Sequence, residues 1–264
     1  MKIGIFDSGL GGLIIAKAIR KAMPEYDYVY LGDTKRVPYG NRSHEAVYEY
    51  TKECVDYLFS KENCGIVIIA CNTASARALR RLQKHDTRKI LGVLIPAAEE
   101  AAKFERIGAI GTLGTVSSGT FPKEIKKLNK NTRVFQNSAP MLVPLAEEGE
   151  TKNVLPFIKK YLQPFAGKRI DALVLGCTHY PIFKKEIKKQ LAQEPFLRRK
   201  IKIISQDEII PQKLKEYFAR HPEISKKLSK GKTAKILVTD KTQTIDKLAR
   251  KWFGKKLKPE LVKF

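Results

Sequence analysis

The sequence predicts an α/β protein built as two pseudo-symmetric α/β domains with mainly parallel sheets, and with the active site in the crevice between them. Three observations lead there. Short apolar runs alternate with amphipathic helical stretches, the pattern of parallel strands covered by helices. Landmarks in the first part of the chain recur roughly one hundred residues later, which marks a duplicated unit. The longest landmark closes both times on a cysteine, Cys71 and then Cys177.

Strands are expected at Lys2–Phe6, Tyr28–Leu31, Gly65–Ala70 and Ile90–Leu94, then at Arg106–Ile110, Arg133–Gln136, Ala172–Leu175, Ile201–Ile204 and Ala234–Val238. Helices are expected between most of them, among them Leu13–Met23, Ser43–Ser60 and Ser75–Leu82. Ile3-Gly4-Ile5 is echoed by Ile107-Gly108-Ala109-Ile110, and Val29-Tyr30-Leu31 by Val134-Phe135-Gln136. Ile66-Val67-Ile68-Ile69-Ala70-Cys71-Asn72-Thr73 is echoed by Ala172-Leu173-Val174-Leu175-Gly176-Cys177-Thr178-His179. The offsets, measured at Gly4, Val29 and Cys71, are 104, 105 and 106 residues. The first domain should end near Pro96 and the second near Ile204, giving spans 1–95 and 96–205. Composition leaves open whether 206–264 returns to the first domain or packs across both.

With 264 residues and 43% apolar content the chain can bury a sizeable core. Its longest apolar stretch, around Gly65 to Cys71, falls far short of the roughly 20 residues of a membrane span. The start, Lys2 and a short apolar run closed by Asp7, does not resemble a signal peptide. Cys54, Cys64, Cys71 and Cys177 form no Cys-x-x-Cys pair and have no zinc-like His spacing, so reduced thiols and a cytoplasmic location are expected. The net charge is +24, and from Lys184 onward 24 Lys and Arg stand against 9 Asp and Glu. Such a balance suits polyanions. Yet Phe183, Ile187 and Leu191 make one helical stripe with lysines opposite, which reads as a solvated face. Only weak, non-specific polyanion binding is then expected.

Both repeated cysteines follow the carboxyl end of a predicted strand, where ligands bind in open parallel sheets and helix N-termini offer free N–H groups. Cys71-Asn72-Thr73-Ala74-Ser75 leads into a helical pattern, and Cys177-Thr178-His179-Tyr180-Pro181 places Pro181 where a helix can begin. A third junction is Phe6-Asp7-Ser8-Gly9-Leu10-Gly11-Gly12, whose glycines let backbone approach a ligand. A lone strand-end cysteine is ordinarily a small buried hydrophobe, and Cys54 and Cys64 are read that way. His179 alone would be a structural hydrogen-bonder, and the glycines alone a tight turn. Gly9-x-Gly11 lacks the rest of the dinucleotide fingerprint, and no phosphate loop is present. The pairing of the cysteines is what favours chemistry. Inverting a stereocentre needs a base on one face and an acid on the other, with the roles exchanged in reverse, and two groups of one type suit that exchange.

Six motifs in order resemble glutamate racemase, within the aspartate/glutamate racemase superfamily, over most of the chain. They are Phe6-Asp7-Ser8-Gly9-Leu10-Gly11-Gly12, Gly32-Asp33-Thr34-Lys35-Arg36-Val37-Pro38-Tyr39-Gly40, Ala70-Cys71-Asn72-Thr73-Ala74-Ser75, Gly111-Thr112-Leu113-Gly114-Thr115, Leu142-Val143-Pro144-Leu145-Ala146-Glu147-Glu148-Gly149 and Gly176-Cys177-Thr178-His179-Tyr180-Pro181. The first two favour the glutamate over the aspartate type. The resemblance implies that 206–264 returns to the first domain. It also implies that L- and D-glutamate are interconverted with no cofactor, pyridoxal phosphate and metal included, for cell-wall peptidoglycan. It assigns Cys71 and Cys177 as alternating proton acceptor and donor, with Asp7 near the first thiol and Glu147 and His179 near the second. Asp7, Ser8, Pro38, Tyr39, Gly40, Asn72, Thr73, Thr178 and His179 would bind substrate, with Thr115 a further candidate for a carboxylate contact.

One stretch departs from the family pattern. Where Asp-Ser-Gly often stands as the chain leaves the second domain, this chain has Ser205-Gln206-Asp207-Glu208. That puts the hinge in question more than the chemistry. Two alternatives remain, a racemase of another acidic amino acid such as aspartate, and a basic nucleic-acid-binding protein on a degenerate racemase fold. A homodimer is carried as an expectation.

Overall fold

Ten strands form two sheets in a computed structural model that describes residues 1–193, 196, 200–254 and 257–263. Residues 194, 195 and 197–199 of the expected second domain, and 255, 256 and 264 of the C-terminal segment, lie outside the described residues. The strands are β1 (Lys2–Asp7), β2 (Tyr28–Gly32), β3 (Cys64–Ile69), β4 (Ile90–Gly92), β5 (Arg106–Gly111), β6 (Arg133–Ser138), β7 (Ala172–Gly176), β8 (Lys202–Ile204), β9 (Ala234–Val238) and β10 (Glu260–Leu261). The first sheet runs β10-β9-β2-β1-β3-β4 and the second β6-β5-β7-β8. Among the described residues every strand pairing is parallel.

The sequence repeat is a repeat of topology. Order β2-β1-β3-β4 in one sheet matches β6-β5-β7-β8 in the other. Gly4 sits beside Val67 in the first, and Gly108 beside Leu173 in the second. The strands read as continuous apolar runs because helices cover both faces, so alternate side chains enter different cores. Ile66 and Ile68 point into one core of the first sheet, Val67 and Ile69 into the other. Leu173 and Leu175 are divided from Ala172 and Val174 in the same way.

All nine expected strands form, with four local corrections. The run Ile90–Leu94 stops pairing at Gly92, and Leu94 opens the helix Leu94–Ala101, which packs against β7 and β8 of the second sheet. Apolarity alone cannot separate a strand from a helix buried this deeply. The expected helix Ser75–Leu82 is two helices, Asn72–Arg77 and Leu79–His85, interrupted at Ala78. Pro181 enters a 3₁₀ turn, Tyr180–Phe183, rather than an α-helix, which follows at Lys184–Leu191. Cys64 begins β3 instead of preceding it. The short β10, exposed at the sheet edge, has no apolar signature to predict it. The stripe Phe183, Ile187 and Leu191 is buried, while Lys185, Lys188 and Lys189 are exposed. Among the described residues no helix is long and apolar enough to cross a membrane.

Beyond β8, Ser205 precedes the helix Gln206–Arg220. Ile210, Leu214 and Phe218 of that helix share a core with Ile15 and Ile19 of the helix Gly12–Ala22. β9 then pairs with β2 in parallel, so the first sheet is completed by the end of the chain.

Candidate active site

The carboxyl ends of β1, β3, β5 and β7 meet over one cavity of about 350 Å³. Its lining includes Ser8, Pro38, Tyr39, Gly40, Cys71, Asn72 and Thr73 from the first half of the chain, and Glu147, Cys177, Thr178 and His179 from the second. A larger share of the expected site residues therefore converges than either half of the sequence could place alone. Asp7 lies beneath this surface, fully buried at the end of β1. Thr115 is also buried and outside the lining; Thr112, at the start of the same helix, reaches the cavity in its place.

On the first side, Cys71 is itself the N-cap of Asn72–Arg77. Its sulfur accepts the Ala74 amide hydrogen at 3.4 Å, a role usually taken by an Asn, Asp, Ser or Thr oxygen. Ser8 Oγ lies 3.2 Å from Cys71 Sγ. Burial and the Asp7 carboxylate raise the Cys71 thiol to about 12, against the lowering effect of the Ser8 and Ala74 hydrogen bonds. The Gly9 amide donates to Asp7 Oδ2 at 3.1 Å, whereas buried Oδ1 has no hydrogen-bond partner. Burial raises Asp7 above the usual carboxylate range, opposed by the charge of His179 and the amide dipoles of Gly12 and Gly9.

On the second side, Cys177 Sγ lies 3.8 Å from His179 Nδ1, and His179 Nε2 lies 3.0 Å from Glu147 Oε1. Burial by itself would lower the imidazole. The contacts with Cys177 and Glu147 outweigh it and push His179 up to about 10. The ring is gripped between the two halves of the molecule. A Cβ on Gly11 would come within 2.5 Å of the His179 ring, so only glycine lets the first junction approach it. Trp252, from the helix Gln243–Trp252, meets the ring edge-on at 5.5 Å between centroids.

Polar groups without charge complete the lining. Thr73 Oγ1 lies 2.8 Å from Thr112 Oγ1 and 3.4 Å from Thr115 Oγ1, a hydroxyl contact across the two sheets. The Tyr39 hydroxyl donates its proton to Asp33 Oδ2 at 2.5 Å. Val37, Leu113, Met141, Val143 and Pro144 supply an apolar rim that the polar motifs did not announce. Trp252 and Thr112 were also missed. Thr112 lies within Gly111-Thr112-Leu113-Gly114-Thr115, and its N-capping position before Leu113–Ser117 is the signal that points to it. Among the described residues no group of three or more His, Cys, Asp or Glu side chains is arranged to hold a metal ion.

Two repeated parallel-sheet units with a thiol beyond equivalent strands, β3 and β7, define a racemase-type α/β fold. The chain belongs to the Asp/Glu/Hydantoin racemase family, whose model matches residues 14–206. It is 38% identical over 266 residues to glutamate racemase of Aquifex aeolicus, covering 99% of this chain and 97% of that one. It is 50% identical over 196 residues to glutamate racemase of Aquifex pyrophilus, covering 72% and 76%. The crystal structure of Francisella tularensis glutamate racemase in complex with D-glutamate superposes with a TM-score of 0.89 at 30% identity, covering 99% of this chain and 97% of that chain. An aspartate racemase of Picrophilus torridus shares the fold at a TM-score of 0.57 and 21% identity, covering 83% and 95%.

Proposed function

We propose that this protein interconverts L- and D-glutamate by proton transfer between two thiols, without a cofactor. The observation that carries the reading is that Cys71 and Cys177, beyond equivalent strands of a repeated sheet, line one cavity. In one direction a thiolate takes the α-proton, and the other thiol donates its proton to the opposite face of the carbon. The first sulfur ends as thiol and the second as thiolate, so the reverse reaction starts from that state. His179, held by Glu147, exchanges a proton with Cys177 or fixes its orientation, and Asp7 and Ser8 do so for Cys71. Asn72, Thr73 and Thr178 offer hydrogen bonds to the substrate carboxylates, with Pro38, Tyr39 and Gly40 closing the wall. The α-proton is far less acidic than a thiol, so enclosed hydrogen bonds must stabilise the developing carbanion.

The division 1–95 with 206–264, and 96–205, is part of the same proposal, as are a cytoplasmic location and supply of D-glutamate to peptidoglycan. A homodimer and weak, salt-sensitive polyanion binding are its remaining parts, read by sedimentation and by DNA titration at two salt concentrations. The decisive experiment is circular dichroism of L-glutamate, and separately L-aspartate, incubated with purified protein after exhaustive chelation. Decay of the glutamate signal alone is expected. Decay with aspartate alone would move the reading to the aspartate type. Loss on chelation, restored by one metal, would contradict the two-thiol chemistry.

A further inference from the structure

The stretch that departs from the family pattern reaches the cavity wall. Gln206 is the first residue of the helix Gln206–Arg220, where the chain leaves β8, and it is almost completely buried. Its carboxamide pairs reciprocally with that of Asn72. Asn72 Nδ2 donates to Gln206 Oε1 at 2.7 Å, and Gln206 Nε2 donates to Asn72 Oδ1 at 2.6 Å. Gln206 Nε2 also donates to the Val93 carbonyl at 3.3 Å, just beyond β4.

The Val93 contact gives the pair a direction. A backbone carbonyl can only accept, so the Gln206 end facing Val93 must be its amide nitrogen. With that end fixed, Asn72 must turn Nδ2 toward Gln206 Oε1 and Oδ1 toward Gln206 Nε2. An asparagine carboxamide has two N–H groups and two acceptor lone pairs. One of each is taken by Gln206, leaving one N–H and one lone pair for the cavity that Asn72 lines. Asn72 also directly follows Cys71, whose sulfur caps the same helix.

From these contacts we infer that Gln206 is a positioning residue, which sets the orientation of the Asn72 carboxamide toward the substrate through a bond anchored at Val93. The inference rests on the glutamate-racemase reading for the role of Asn72. A side chain outside the motifs thus joins the exit from the second sheet to the start of the Cys71 helix. Loss of the pair frees Asn72 to rotate, and the substrate must then order it on binding. The effect falls on KM more than on kcat, because the contact is made in both ground and transition states.

The test compares Gln206→Leu and Gln206→Glu with the unmodified protein, using whichever of glutamate or aspartate that protein racemises. Gln206→Leu removes the two bonds to Asn72 and the one to Val93, and should raise KM about tenfold with kcat changed less than about threefold. Gln206→Glu keeps the shape. When neutral, its carboxyl reproduces the two bonds to Asn72, O–H donating to Asn72 Oδ1 and C=O accepting from Nδ2, and loses only the one to the Val93 carbonyl. When ionised, it cannot donate. The ratio of its KM to that of the unmodified protein should therefore rise with pH toward the Gln206→Leu value. Cys71, Asp7 and the Lys184, Asp207 and Glu208 cluster beside the helix start are present in both proteins, so the ratio isolates the added carboxyl. If Gln206→Leu does not fold, the pH course of Gln206→Glu decides alone. A KM within twofold of the unmodified value for a folded Gln206→Leu, or a KM ratio for Gln206→Glu flat across pH, would overturn the inference. An unmodified protein that racemises neither substrate would overturn the functional reading and this inference with it.

Discussion

Cys71 and Cys177 stand beyond equivalent strands of a duplicated sheet, but their neighbours differ in kind. Cys71 has a hydroxyl at 3.2 Å and a buried carboxyl nearby, and is pushed up to about 12. Cys177 faces an imidazole that is itself held by a carboxylate and pushed up to about 10. Duplication has kept the position of the sulfur while the groups beside it have diverged. Two residues of one type suit a reversible reaction, but the free protein surrounds one with acidic and neutral groups and the other with a basic one.

The comparison can be broken most directly at the sulfurs. Cys71→Ser and Cys177→Ser should each lower racemisation by about three orders of magnitude or more, since a hydroxyl is far less acidic than a thiol. Polarimetry of glutamate would measure this. Equal activity of either variant with the unmodified protein would remove that sulfur from the chemistry.

The neighbouring groups sharpen it next. His179→Asn should lower kcat by about 10² to 10³, within the range of a lost acid/base partner. It should slow proton loss from the enantiomer served by Cys177 more than from the other, and Asp7→Asn should show the reverse preference. Elimination rates from the two enantiomers of a β-substituted analogue would read both. Equal slowing of both enantiomers by His179→Asn would mean that the two sides are not separate.

Stability should follow the same division. His179 rises in the folded state to about 10 from 6.5, so its contribution is complete below pH 6.5 and is lost as pH climbs through 10. The raised Cys71 thiol has the same sign, with a window that begins near pH 9 and ends near 12. His179→Asn should flatten the fall in Tm in the lower window and Cys71→Ser in the upper one. Asp7 is also raised, so its stabilising form is the protonated one, lost as pH rises through its folded value. Asp7→Asn should therefore raise Tm at neutral pH while slowing turnover, the behaviour of a group kept for function. An unchanged Tm would contradict the burial cost assigned to it.

The smallest effects belong to the other two thiols. Cys54 and Cys64 are buried in one core of the first sheet with Val67 and Leu58. Cys54→Ser and Cys64→Ser should leave kcat within about twofold in folded protein, whatever they cost in Tm.

Much of this was legible in the sequence because two signals were strong. Buried parallel strands show as continuous apolar runs, and a near-constant offset exposed the duplication even where individual matches were weak. The sulfurs could be placed because their motifs follow strand ends, whereas Glu147 and the association of His179 with the second thiol came from the family resemblance. What was hidden depends on contacts between distant segments. Nothing local to Gln206 announces that it pairs with Asn72, and nothing in Gly11 alone reveals the His179 ring against it. Trp252 lies in a basic amphipathic stretch whose buried face reads as ordinary core. The apolar run ending at Leu94 misled for a related reason, since its last residue is buried by the second sheet rather than by the first.

The central claim, two thiols acting on opposite faces of one carbon, is tested most directly by elimination in the single cysteine variants. The substrates are the separate enantiomers of a glutamate analogue with a leaving group at the β-carbon. Loss of the α-proton expels that group, so no second thiol is needed. Cys71→Ser should eliminate from the L-enantiomer and fail with the D-enantiomer, and Cys177→Ser should do the opposite. Elimination by both variants from the same enantiomer would contradict the two-base account.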